Sequence, residues 1–216
     1  MPPESPLYIQ QMEIGPMENF VYLVGSKTTR EVFIVDPAWQ VDTILRTAKE
    51  EDLKIKGALV SHYHFDHTNG IEELLEAVDV PIYVNKKDAP YMEHSSDNIK
   101  EVDNNFKIKV GEIEVEMIHT PGHTPGSQCF HVQNRLISGD TLFINACGRC
   151  DLPGGDAKEM YASLTQKLAK FDDSTILLPG HNYADKPTST MGEQKKSNPY
   201  LMCDSLDNFL HFRMGI

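Results

Sequence analysis

Three times along this chain a short apolar run breaks at a glycine, and a histidine or aspartate follows at once. His123 comes after Gly122 in Thr120-Pro121-Gly122-His123, Asp140 after Gly139 beyond Leu136-Ile137, and His181 after Gly180 beyond Ile176-Leu177-Leu178. A fourth apolar run, residues 57–60, leads directly into Ser61-His62-Tyr63-His64-Phe65-Asp66-His67. Glycine lets a backbone turn and approach a buried partner without a Cβ clash, so strands here hand polar side chains to loops.

The rest of the sequence alternates short strand-like runs with helical ones, and no linker divides them. Residues 7–14, 20–24 and 32–35 are rich in β-branched and aromatic side chains and read as strands. Residues 41–51 read as a helix with Val41, Ile44, Leu45 and Ala48 on one stripe. A strand at 57–60, a helix at 70–77 and a strand at 81–84 follow, then a short helix at 86–94 that has to accommodate Pro90. Residues 106–110 and 113–117 alternate apolar with charged side chains, the pattern of sheets wetted on one face. Strands at 128–132 and 135–137 flank a Gln133-Asn134 turn. The strongest helix spans 156–170. Asp156 stands at its N-cap, Glu159 at the capping-box position, and Met160, Leu164 and Leu168 form its stripe. A strand at 175–178 and a helix at 206–214 complete the pattern. Each half runs strands, helix, strand without a residue-level repeat. The expected fold is one α/β domain over 1–216, two sheets packed face to face with helices outside, and 184–216 a tail ending in a helix.

Composition narrows the function classes. Of 216 residues 40 % are hydrophobic and 24 % charged, which excludes wholesale disorder. Lysine and arginine number 20 against 32 acids, and a net charge of −12 argues against nucleic acid as a partner. No apolar run approaches the ~20 residues of a membrane span, and the start lacks a secretory pattern. Four cysteines are too few for a disulfide scaffold in a chain this long. A cytoplasmic location is expected, and a homodimer is left open.

The spacing His-x-His-x-Asp-His carries the most chemistry, because imidazole and carboxylate are the nitrogen and oxygen ligands of zinc, iron and manganese. Residues two apart in an extended segment point the same way, so His62 and His64 can face one ion. Asp66 and His67 lie past the turn and can face a second. His123 would complete the first site, His181 the second, and Asp140 has two oxygens with which to bridge both. Two divalent ions are therefore expected, zinc first, with iron or manganese as alternatives. Isolated histidines such as His94, His131 and His211 are assigned no role, nor is the half zinc-knuckle Cys147-x-x-Cys150. Asp36 ends a strand nearby and is read as structural, orienting a ligand histidine.

These seven residues, in order, resemble the motifs of the metallo-β-lactamase superfamily over about residues 22–181. The resemblance implies an αββα sandwich with the metals at one edge, between the halves. Gly139-Asp140-Thr141-Leu142-Phe143, Cys147-Gly148-Arg149, Met160-Tyr161-Ala162-Ser163-Leu164 and Gly180-His181-Asn182-Tyr183 are similar to glyoxalase II, which hydrolyses hydroxyacylglutathione thioesters. That similarity implies that Arg149 and Tyr183 contact a glutathione-containing substrate. Asp151 stands where the family has a second glutathione-contacting tyrosine, and the stretch after His181 is too short for the family's helical C-terminal domain. Gly148-Arg149-Cys150-Asp151, Ser189-Thr190-Met191-Gly192-Glu193 and Asn198-Pro199-Tyr200-Leu201 are similar instead to the persulfide dioxygenases of the same superfamily. There one Fe(II), held by the residues matching His64, His123 and Asp140, oxidises glutathione persulfide.

The first expectation is a thioesterase in which two cations activate a shared water, Asp66 accepts a proton besides binding metal, and Arg149 and Tyr183 hold the substrate. The iron dioxygenase is the alternative, and a lactonase a weaker one. Seven intact ligands argue against a non-catalytic scaffold.

Overall fold

In the computed structural model, which describes residues 5–93 and 96–215, two six-stranded sheets lie face to face. The first runs β1 (Leu7–Ile14), β2 (Asn19–Ser26), β3 (Glu31–Val35), β4 (Lys54–Leu59), β5 (Ile82–Asn85) and β6 (Ile99–Val102) in chain order. Its first three strands are antiparallel and the rest parallel, joined by α1 (Val41–Glu50), then by α2 (Phe65–Thr68) and α3 (Ile71–Ala77). The second sheet is built from β7 (Phe106–Val110), β8 (Ile113–His119), β9 (Gln128–Val132) and β10 (Arg135–Gly139), beside which β13 (Ile176–Pro179) lies parallel and β14 (Ser189–Thr190) closes the edge. Between β10 and β13 come a small hairpin of β11 (Leu142–Phe143) and β12 (Ala146–Cys147), and helix α4 (Ala157–Ala162). Helices α5 (Met191–Ser197) and α6 (Leu206–Met214) end the chain.

Side-chain alternation explains the layers. From β2, Phe20, Tyr22 and Val24 meet Val115, Met117 and Phe130 of the opposite sheet, while Val21 and Leu23 turn outward onto Ile44, Ile71 and Leu74. A strand buried on both faces has no polar side to present, and every residue of β2 is buried. The outer face of the second sheet gives Cys129, Leu136 and Leu177 to Met160, Leu164 and Leu168, with Met191 and Phe209 of α5 and α6 packed in the same cluster. Helices thus cover both outer faces, the expected αββα sandwich.

Three local expectations are corrected and one is filled in. The helix expected over 86–94 is a single 3-10 turn at Ala89–Tyr91; Pro90 supplies no N–H to continue it, and His94 lies outside the described residues. Strand β6 has no expectation in the sequence, since only Ile99 and Val102 of its four residues are apolar. The 156–170 helix changes pitch, from α4 to a π-helical segment at Ser163–Lys167 and a 3-10 turn at Leu168–Lys170. Within the widened turn Ser163 Oγ donates to Pro121 O (2.7 Å) and Lys167 Nζ to His119 O (2.6 Å), clamping the loop that carries His123. Finally, the tail holds β14 and α5 as well as its terminal helix. Among the described residues no helix is long and apolar enough to cross a membrane.

Candidate metal centre

All seven histidines and aspartates singled out above meet at one end of the sandwich. Beyond β4 the chain stays extended through His64 and turns into α2 at Phe65, so His62 and His64 precede the helix while Asp66 and His67 lie within it. The ends of β8, β10 and β13 deliver His123, Asp140 and His181. Ligand atoms group as His62, His64 and His123; as His62, His67 and Asp140; and as Asp66, His67 and His181, each set within 4.8 Å. Asp140 joins them: Oδ2 lies 3.6 Å from His123 Nε2 and 3.4 Å from His181 Nε2, and Oδ1 lies 3.3 Å from His67 Nε2. A Cβ on Gly180 would overlap Asp140 Oδ1 and the Gly139 backbone, and one on Gly122, at φ +138°, would overlap the Met160 backbone. Only glycine allows these approaches.

The ring orientations are set from behind. His123 Nδ1 donates to Arg149 O (2.7 Å), His181 Nδ1 to Met17 O (2.9 Å) and His67 Nδ1 to Asp36 Oδ2 (2.9 Å). His62 Nδ1 donates to Ser61 Oγ (3.0 Å), which itself donates to Asp36 Oδ2 (2.6 Å), while the Ser61 amide donates to Asp36 Oδ1 (2.6 Å). With Nδ1 of each ring tied to these acceptors, Nε2 of each ring faces inward. Asp36 therefore orients one histidine directly and another through Ser61. His62 Nε2, His123 Nε2 and Asp140 Oδ1 are buried and have no hydrogen-bond partner. Each such orphan costs about 1–3 kcal/mol, and a cation among them would satisfy all three. The residues fit a divalent metal by this test: nitrogen and carboxylate donors, unpartnered and facing one another.

Electrostatics point the same way. Burial, reinforced by His67, holds His62 well below the usual imidazole range, and burial with His123 brings His64 to about 4. Burial opposes ionisation of Asp140 and Asp66, but His67 and His181 outweigh it and hold both carboxyls well below their ordinary value. Burial likewise opposes protonation of His181, yet its contacts with Asp140 and Asp66 raise it to about 9. Without metal, protons take the place of positive charge between the two carboxylates.

The two substrate-contact candidates stand at the rim. Tyr183 is exposed and stacks on His181 with ring centroids 4.6 Å apart. Arg149 is exposed too, and its guanidinium is engaged by Asp151 through two hydrogen bonds of 3.0 and 2.7 Å. Cys147 and Cys150 are buried free thiols, and burial pushes Cys150 up to about 11.

Several supporting residues escaped the sequence reading. Asn19 Nδ2 donates to Asp66 Oδ2 and to Asp66 O, both at 2.9 Å. Asp88 accepts from the Gly126 amide (2.5 Å), Thr124 Oγ1 (2.6 Å) and the Tyr63 amide (3.1 Å), tying the His62–His64 segment to the His123 loop. No sequence motif marks either residue, because both act across long separations.

Two helix-backed sheets with histidines and carboxylates gathered at their strand ends define a metal-handling αββα protein. Residues 14–181 match the Metallo-beta-lactamase superfamily, and the chain belongs to it, in its glyoxalase II-like and persulfide dioxygenase-like branch. It is 32 % identical over 237 residues to a hydroxyacylglutathione hydrolase of Shewanella halifaxensis, covering 91 % of this chain and 88 % of the relative. It is 28 % identical over 195 residues to the probable polyketide biosynthesis zinc-dependent hydrolase PksB of Bacillus subtilis, covering 90 % and 87 %. The crystal structure of ETHE1 from Myxococcus xanthus superposes with a TM-score of 0.86 at 28 % identity, covering 96 % of this chain and 90 % of that one.

Proposed function

We propose that this protein is a metal-dependent thioesterase that hydrolyses a glutathione-type thioester at a two-metal site. His62, His64 and His123 would hold one divalent ion and Asp66, His67 and His181 the other, with Asp140 placed to serve both. The observation that carries this reading is the pair of three-ligand sets joined by Asp140, with lone pairs left unpartnered between them. The similarity to a hydroxyacylglutathione hydrolase supports the thioester, and the name of PksB supports zinc. We also assign residues 184–216 to the same domain, since Met191 and Phe209 share a buried cluster with Leu164.

The chemistry supplied by divalent cations at these ligands is Lewis acidity, which lowers the pKa of water and polarises a carbonyl. This chain's residues do the rest. Asp66, fixed by Asn19, presents the Oδ2 that would accept a proton from the attacking water. A C–O bond forms, the C–S bond breaks, and the proton passes to the departing sulfur. Tyr183 and Arg149 bind the thiol-bearing end. Arg149→Ala raises KM for S-lactoylglutathione by roughly tenfold with little change in kcat; steady-state kinetics check this, and an unaltered KM removes the residue from the binding site.

Metal affinity depends on pH with a definite sign. His181 must lose a proton of pKa about 9 before Nε2 can bind a cation. Affinity therefore rises with pH up to about 9. In chelated protein the raised His181 contributes stability that is fully present below the unfolded value near 6.5. That contribution disappears as pH climbs through about 9. Thermal melts with and without chelator, from pH 6 to 10, should show the decline only in the chelated samples.

One observation favours a second reading. His64, His123 and Asp140 give two imidazoles and a carboxylate, the set that suits ferrous oxygen chemistry. Metal analysis of anaerobically purified protein, with parallel assays, separates the two. Two ions per chain with thioester cleavage support the thioesterase. One iron per chain with oxygen uptake on glutathione persulfide replaces it.

A further inference from the structure

Four rings of the cluster are tethered at Nδ1, and each tether comes from a different stretch of chain: Asp36 for His67, Ser61 for His62, Met17 for His181 and Arg149 for His123. Met17, Asp36 and Ser61 lie beside strands of the six-stranded first sheet. Arg149 has no such support. It follows the two-residue strand β12, in a stretch without helix or strand from 148 to 156. Its carbonyl therefore needs another anchor if the His123 ring is to be held.

Helix α6 supplies one. Arg213, in its last turn, donates from Nε to the carbonyl of Gly148 at 3.1 Å, across 65 positions of sequence. The same guanidinium lies over the Tyr200 ring at 5.9 Å and faces Cys150 and Asp151. The helix is anchored independently of this contact, because Phe209 is fully buried and packs on Tyr161 of α4 at 5.5 Å. Gly148 is buried directly behind the centre: a Cβ on it would overlap the Asp140 carbonyl and stand 3.1 Å from His123 Nδ1. A peptide group is planar, so holding the Gly148 oxygen also sets the plane that contains the Arg149 nitrogen. Only the φ and ψ of Arg149 separate that plane from the carbonyl that holds His123 at 2.7 Å.

We propose that Arg213 is a positioning residue of the metal centre: by holding the Gly148 carbonyl it fixes the Arg149 carbonyl, and through that the ring of His123. This rests on the reading of the site as a metal centre, in which His123 is a ligand in both the two-ion and the one-iron form. The hydrogen bonds that fix His62, His67 and His181 involve no residue of α6. The effect of Arg213 is therefore confined to the ion that His123 holds.

The test is a competitive titration of the metal-free protein with zinc against a chromogenic chelator, repeated anaerobically with Fe(II), for wild type, Arg213→Met and Arg213→Gln. Methionine keeps an unbranched stem and has no donor. Glutamine places an N–H at the same point along the side chain as arginine Nε and carries no charge. In Arg213→Met one ion should bind about tenfold more weakly, the lower end of the range for losing a group that orients a ligand. The other ion should be unaffected, and Arg213→Gln should restore wild-type binding. Equal weakening of both ions overturns the proposal, since it marks a general loss of structure. The melting temperature of metal-free Arg213→Met, expected to fall by no more than about 2–4 °C, reports that loss directly. Unchanged binding in Arg213→Met overturns the proposal and leaves the metal centre standing. Arg213→Gln behaving like Arg213→Met also overturns it, because charge and not the hydrogen bond would then be the link. A wild-type protein that holds a single ion, weakened in Arg213→Met and restored in Arg213→Gln, supports Arg213 and removes the two-ion reading. A wild-type protein that binds neither metal overturns both.

Discussion

Replacing Asp140 with alanine should lower the proposed thioester hydrolysis by at least about a thousandfold and prevent the protein from retaining two metal ions. The size follows from what this carboxylate alone can reach. Its Oδ2 lies 3.6 and 3.4 Å from Nε2 of His123 and His181, and its Oδ1 lies 3.3 Å from Nε2 of His67. Without it no single carboxylate reaches His123, His67 and His181 together. A thousandfold is about 4 kcal/mol of barrier, within the several kcal/mol that Lewis-acid activation supplies. The fold should persist, because the side chain caps strand β10 and does not belong to any of the apolar clusters. Metal content, circular dichroism and kcat/KM are the measurements. An Asp140→Ala protein that keeps two ions and near-normal turnover would remove the bridge from the site.

The second large effect is on stability. Asp36→Ala should cost about 3–5 kcal/mol, the range for stripping one partner from a buried charged network. The carboxylate is 2 % exposed and accepts from the Ser61 amide, Ser61 Oγ and His67 Nδ1. Alanine leaves all three donors buried without an acceptor. For a domain of this size the loss corresponds to roughly 10 °C in Tm. Because His67 and, through Ser61, His62 lose their orientation, metal affinity falls by a further 10- to 100-fold. Asp36→Asn separates the two parts: it tolerates the positive φ of 54° and keeps one acceptor, so stability recovers more than metal affinity. Melting temperatures and competitive metal titrations decide it. Wild-type metal affinity in both variants would reduce Asp36 to a packing residue.

The sandwich was legible wherever a strand announced itself by composition. β2 carries an apolar run at residues 20–24 because both of its faces are covered, and β7 and β8 alternate because one face of each is wet. Short or polar elements were not. β6 has two charged residues in four, and its place comes from pairing with β5. Helix α5 carries a local signal, a capping box in which Thr190 and Glu193 satisfy each other's backbone amides. Proline decided the 86–94 segment against a helix, and the loop contacts of Ser163 and Lys167 accompany the change of pitch in the 156–170 helix.

What the sequence determined by itself was the chemistry and its delivery: which side chains can bind a cation, and that each stands just past an apolar run, at a glycine or in the tight spacing from His62 to His67. Residue type and short-range geometry decide those things locally. Tertiary structure alone decided which nitrogen of each ring faces inward, because the acceptors that fix it come from distant chain: Met17 for His181, Arg149 for His123, Asp36 for His67. It also placed Asn19 beneath Asp66, Asp88 between two ligand loops, and Tyr91 against Tyr63. Such contacts join residues tens of positions apart, and no local pattern encodes a neighbour that only the packing of two sheets brings near.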